Sequence, residues 1–268
     1  MGMKLFSHLM AFLTVAIWGS TFVFTKILLI NGLSPAQIFT LRFIVAYVLL
    51  LAFELMVRKQ SFRWVSDSWK DELMMVALGV SGGSLYFLTE NLIPYERCHV
   101  VHSALDDAIP FCELFVVPYL LWFFLVAGSL LYLLLRDIPA FRKLCIYIMI
   151  TQAGAMLVYI LWPNIQLLRP ETMPRENFFT WVLGIVYSFD TPTGVLPSLH
   201  AAYSIAILSV FWHRKATALW GRILLPVFVV VSIAATFFVK QHSVLDAAAA
   251  LPLCLIGEAL IYWFKILE

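Results

Sequence analysis

Apolar residues occur along this chain in blocks of about twenty, broken by short charged or proline-containing stretches. Eight blocks are visible, at about residues 9–30, 36–57, 72–93, 112–135, 143–163, 198–213, 220–239 and 245–266. A helix needs about 20 apolar residues to cross the hydrocarbon of a bilayer, and one apolar on every side is not a surface helix of a soluble domain. The pattern therefore predicts an all-α integral membrane protein with about eight transmembrane helices. The sixth block is short and is expected to begin partway into the membrane. The first follows only Lys4, lacks a small-residue cleavage site and leads straight into the second, so it reads as an anchor and not as a removed signal peptide.

Composition agrees with this. Of 268 residues, 62% are hydrophobic and only 13% charged, where soluble domains run near half apolar and about a quarter charged. That excludes a soluble enzyme, a disordered chain and a coiled coil. The net charge of +2 and the absence of a basic block argue against a nucleic-acid partner. Cys98, Cys112, Cys145 and Cys254 are scattered with no CxxC pair, so neither a zinc site nor a disulfide framework is expected.

Charge also orients the spans. With a cytoplasmic N-terminus, twelve Lys and Arg residues fall on the inside and four (Arg97, Arg169, Arg175 and Lys240) on the outside, while Lys26 and Arg42 lie within spans. The positive-inside bias then places both termini inside and the connection 164–197 outside. That connection carries Pro170, Pro174, Pro192 and Pro197 and is expected to be a polar loop, a common place for chemistry. A second candidate stretch is 94–111, with His99, His102, Asp106 and Asp107.

His242 and Asp246 stand four apart where the eighth span begins, which puts them on one helix face. The carboxylate could accept the imidazole N–H and fix its tautomer. His200 opens the sixth span on the same side of the membrane. A lone histidine at a span end is usually an interfacial polar residue, but two with an i+4 aspartate and a same-side Arg169 form a candidate site. His99, His102 and Asp106 would share a face if 94–111 were helical; a rim or lid over the site is the better reading than a metal site. Glu258 lies deeper in its span, with pairing inside the bundle as its expected role.

The stretch Ala16-Ile17-Trp18-Gly19-Ser20-Thr21-Phe22, with Leu33-Ser34-Pro35, Leu41-Arg42-Phe43 and Leu85-Tyr86-Phe87, resembles the start of EamA-type drug/metabolite transporters. This likeness covers about residues 9–92, three spans of a repeat that normally has five. It makes 1–92 a partial EamA-like segment and 93–268 a second domain. There, Arg169-Pro170, Pro197-Ser198-Leu199-His200 and His242-Ser243-Val244-Leu245-Asp246 resemble the signatures of the type 2 phosphatidic acid phosphatase superfamily. The closer likeness is to its inositolphosphotransferase and sphingolipid-synthase-like branch, with SLH and QH motifs. Trp162 stands where the family has lysine, Leu199 replaces a glycine, and Ala235 and Thr236 occupy a Ser-Arg position.

The resemblance implies a six-helix phosphatase-like bundle formed by spans three to eight, and a lipid phosphate as substrate. His242 would attack phosphorus to give a phosphohistidine, His200 would protonate the leaving oxygen, and Asp246 would orient His242. Arg169 and Ser198 would hold the phosphate, with Lys240 added from its position two residues before the nucleophile. No metal and no cofactor is implied. The expected placement is a bacterial-type plasma membrane with the site facing outward. A head-group transferase resembling inositolphosphorylceramide synthase is the alternative within enzymes, and an EamA-like small-metabolite transporter is the alternative from another class.

Overall fold

The computed structural model describes residues 93–267. The first two predicted spans, nearly all of the third, and the EamA-like motifs at 16–22, 33–35, 41–43 and 85–87 lie outside the described residues. The description begins with a short stretch carrying α1 (Ala104–Ala108), followed by α2 (Val116–Arg136) and α3 (Ile138–Leu161). After a connection comes α4 (Phe178–Phe189), then α5 (Leu199–His213), α6 (Leu219–Phe238) and α7 (Val244–Glu258), which ends in a π-helical turn, Ala259–Trp263. Among the described residues, four helical segments are long and apolar enough to cross a membrane: Glu113–Arg136, Ile138–Leu161, Gly221–Phe238 and Val244–Trp263. The described part is thus a helical membrane protein. α5 is shorter, with fifteen residues, and matches the truncated sixth block.

Each helix boundary has a local cause. Asp137 caps α3 by accepting from the Ala140 amide, and Pro139 occupies its first turn, where a missing N–H costs nothing. Ser198 caps α5. Ser243 and Asp246 form a reciprocal capping box at the start of α7.

α5 is the hub of the bundle and packs against α2, α3, α6 and α7. Its small residues Ala201, Ala202 and Ala206 are fully buried with Phe141, Leu144 and Ile148 of α3 and Ala250 of α7. Small side chains allow close approach of helices that have no hydrophobic drive to associate in lipid. Tyr147 donates to the carbonyl of Cys254 at 2.6 Å, and its ring lies against Gly257. A Cβ on Gly257 would clash with Cε2 and Cδ2 of the Tyr147 ring. Gly257→Ala is therefore expected to destabilise by about 1–3 kcal/mol through overpacking. In a detergent melting experiment that is a drop of about 2–4 °C per kcal/mol; an unchanged Tm would contradict the packing.

α2, α5 and α7 begin at the end of the bundle where α3 and α6 finish. At the opposite end Arg214 pairs with Asp137 at 2.7 Å. There Glu258 accepts from Ser209 at 2.5 Å and lies 3.5 Å from His213, the pairing within the bundle that its depth implied.

Two expectations change. The connection 164–197 is not simply a polar loop, because twelve of its residues form α4, an apolar helix too short to register as a span. The stretch 94–111 is helical only over α1 and a single turn at Tyr95–Arg97. His99 and Val100 instead form β1, paired in parallel with β2 (Asn164–Ile165). His99, His102 and Asp106 therefore share no helix face. His99 stacks on Trp162, His102 bonds Asp107 at 2.9 Å, and Asp106 turns inward.

Candidate active site

The site lies at the end where α5 and α7 begin. α6 ends in a tight reversal: the amides of both Gln241 and His242 return to the carbonyl of Thr236, and Lys240 takes a left-handed φ of 54°. Such a conformation costs a lysine about 1–2 kcal/mol, and here it turns the chain so that His242 faces α5.

His242 Nδ1 lies 3.0 Å from Asp246 Oδ2, and His242 Nε2 lies 3.2 Å from Nδ1 of His200. A carboxylate can only accept, so its bond assigns the proton to Nδ1 of His242 and leaves a lone pair on Nε2. That lone pair faces the second histidine. Asp246 is fully buried and also accepts from the Ser243 amide at 2.8 Å. Ser198 sits one layer below: its amide donates to the carbonyl of Asp246 at 2.9 Å, and its hydroxyl accepts from the Ala201 amide. The first turns of α5 and α7 are thereby joined through the residues that carry the two histidines.

His200 is held from α2. The Trp122 ring lies 4.2 Å from it between centroids, and the indole N–H donates to the His200 carbonyl and to Ser204 Oγ. Tyr119 and Phe123 complete an aromatic wall. Nε2 of His200 is buried and has no hydrogen-bond partner among the described residues.

Arg169 lies on Gln241, the residue before His242, donating to its side-chain oxygen. Its remaining terminal donors go to the carbonyls of Tyr187, Asp190 and Thr191, and the guanidinium stacks over the Tyr187 ring. Gln241 passes the network on to Asp190 at 3.1 Å and to the Tyr119 hydroxyl. The Lys240 ammonium donates to the carbonyls of Asp106 and Ile109 at 2.7 and 2.5 Å, which engages two of its three N–H groups. Burial pushes its pKa below the ordinary lysine value, opposed by the charges of Asp106 and Asp107.

All six residues singled out in the sequence belong to one network. His200, His242 and Asp246 are in direct contact; Ser198 and Arg169 reach them through Asp246 and Gln241, and Lys240 lies in the turn leading to His242. Asp106 has an unforeseen part. Its buried carboxylate accepts from Ser243 Oγ at 2.6 Å and from the Val244 amide at 2.8 Å, besides capping α1 through Ser103. The Ser103-x-x-Asp106 spacing signals the local cap, but nothing local signals the reach to α7. Asn164 and Gln166 are likewise new. Asn164 ties its strand to residues 194–196, just before Ser198, and Gln166 donates to the Lys240 carbonyl.

Compared with known proteins, the chain matches the EamA-like transporter family over residues 5–93, a third of its length and the stretch where the transporter motifs stand. No curated protein and no solved structure matches it.

Proposed function

We propose that this chain is an integral membrane phosphatase or phosphotransferase acting on a lipid phosphate through a phosphohistidine at His242. The observation that carries the proposal is the continuous line Asp246–His242–His200 at the start of two helices, with Asp246 and His242 buried and His200 half-buried. A carboxylate that fixes a tautomer, a nitrogen lone pair and a second imidazole are the parts needed for nucleophilic catalysis with general acid assistance.

In this structure the Nδ1–H of His200 donates to the Nε2 lone pair of His242 at 3.2 Å. In this reading substrate breaks that bond, the two rings separate, and the phosphoryl group enters between them. The His242 Nε2 lone pair forms a P–N bond while the P–O bond to the leaving group breaks. The leaving oxygen takes its electron pair and a proton from the imidazolium form of His200. Neutral His200 then removes a proton from water as its oxygen bonds to phosphorus; the P–N bond breaks, its electron pair returns to His242 Nε2, and phosphate leaves. An alcohol in place of water makes the same site a head-group transferase. Helix N-termini at Ser198 and Ser243 favour the phosphoryl charge. Arg169 and Lys240 contribute positive potential, with the terminal donors of Arg169 and two of the three N–H groups of Lys240 held by protein oxygens. Measuring phosphate release from detergent-solubilised protein across several lipid phosphates, with and without chelator, tests the activity; no release from any of them would sink it.

The same reading has eight spans, the last six forming the phosphatase-like bundle, with the histidine pair facing outward. Cysteine-accessibility labelling should reach the 164–197 connection in intact cells. Labelling only after permeabilisation would reverse the orientation.

The match over residues 5–93 favours a second reading, an EamA-like small-metabolite transporter. Three spans of a five-span repeat enclose no transport path in one chain, which leaves this reading to an oligomer. Deleting residues 1–57 separates the two. A phosphatase is expected to keep measurable activity if the remaining six spans insert. Complete loss in a well-inserted deletion would mean that the first two spans help to build the site.

A further inference from the structure

We infer that α4 is a membrane-interface helix whose Phe178–Trp181–Ile185 face is seated in the acyl chains of the leaflet beside the histidine pair. The inference needs only the membrane-spanning helices around it and stands apart from the catalytic reading.

Its sequence, FFTWVLGIVYSF, contains no charged residue. Twelve residues make a helix of about 18 Å, too short for a hydrocarbon core of about 30 Å. One side is docked on protein. Thr180 and Leu183 are buried, and Phe179, Val182, Val186 and Tyr187 pack with Val116 and Tyr119 of α2, Ala235 of α6 and Val239 just beyond its end. The other side presents Phe178 at 67%, Trp181 at 63% and Ile185 at 37% exposure. These three stand at i, i+3 and i+7, one face of a helix. A helix with an apolar docked side and a large aromatic free side is poorly placed against water. The neighbouring helix points to what covers it: α2, on which α4 packs, is long and apolar enough to span and leaves Val117, Leu121 and Phe124 exposed. A spanning helix places such side chains against acyl chains, so the same surroundings are assigned to the exposed α4 face. Tryptophan is also the side chain favoured at the boundary between headgroups and chains.

Both ends of α4 are tied to the protein. At its start Asn177 donates to Glu113 at 2.9 Å, and Arg175 bonds both oxygens of that buried carboxylate. At its end the Tyr187 hydroxyl donates to the Val239 carbonyl at 2.5 Å. The carbonyls of Tyr187, Asp190 and Thr191 hold Arg169, which holds Gln241 beside His242. A helix seated in lipid thus carries the acceptors that position one wall of the site.

The test uses the full chain reconstituted in phosphatidylcholine vesicles and compares tryptophan emission with that of Trp181→Phe, so that the difference isolates one of nine tryptophans. A second protein carries Ile185→Trp in the Trp181→Phe background and reports from the next turn. Both difference signals are expected to be blue-shifted, to lose at least half their intensity in lipids brominated high on the acyl chain, and to resist aqueous iodide. Quenching by iodide with no response to brominated lipid would place the face in water. Protection from both quenchers would mean that protein covers it, from another segment of this chain or a second copy. Either result overturns the inference.

Discussion

His242→Ala is expected to abolish both turnover and phosphoenzyme, a loss on the order of 10⁴- to 10⁶-fold, as when the nucleophile of a covalent mechanism is removed. The fold should survive the change. Asp246 keeps the Ser243 amide, and the contacts that join α5 to α7 through Ser198 do not involve the imidazole. An intact melting curve with no turnover is therefore the expected pair of results, and substantial residual activity would remove His242 from the reaction. His200→Ala should behave differently. It slows a substrate whose leaving oxygen needs a proton, yet still lets the intermediate form when the leaving group is good enough to depart unprotonated. A rise in residual activity with leaving-group acidity, in His200→Ala alone, would distinguish the acid from the nucleophile.

Asp246→Asn is expected to cost about 10⁴-fold in kcat, or ~5 kcal/mol of barrier, and about 1 kcal/mol of stability. The oxygen facing His242 also accepts from the Ser243 amide, and an NH₂ group in its place would lose that cap. The carboxylate accepts from His242 Nδ1 and so keeps the lone pair on Nε2. An amide turned to offer its NH₂ group would stabilise the other tautomer, with the proton on Nε2 where attack must occur. Nitrogen-15 spectra of the labelled imidazole should show this tautomer change beside the kinetic loss. Activity within a few-fold of wild type would mean that the aspartate is only a helix cap. That outcome has a physical basis in the Ser243 amide bond, which is why the spectroscopic reading is needed as well as the rate.

The spans were legible because length and apolarity are local properties. The blocks expected at 112–135, 143–163, 198–213 and 220–239 correspond closely to α2, α3, α5 and α6, and the block at 245–266 to α7 with its π turn. α4 was missed because twelve apolar residues fall below the spanning length and proline residues on both sides read as loop. The spacing pointed to the His242–Asp246 pair, but not for the reason that joins it: His242 precedes the Ser243 cap and lies outside α7, and the turn before the helix brings its ring onto Asp246. The meeting of His200 with His242, 42 residues away, came from motif resemblance and from both lying at the same membrane face. The engagement of Lys240 by two carbonyls and the capping of α7 by Asp106 had no sequence signal. Both depend on how the 94–111 stretch folds back over the start of α7, a tertiary arrangement with no period to betray it.

The most direct test of the proposed mechanism is to quench the protein during turnover of a radiolabelled lipid phosphate and map the phosphorylated residue. The expected result is an acid-labile phosphohistidine at His242, formed by wild type, absent from His242→Ala, and insensitive to chelator. Phosphate mapped to any other residue, or turnover that persists in His242→Ala, would contradict it.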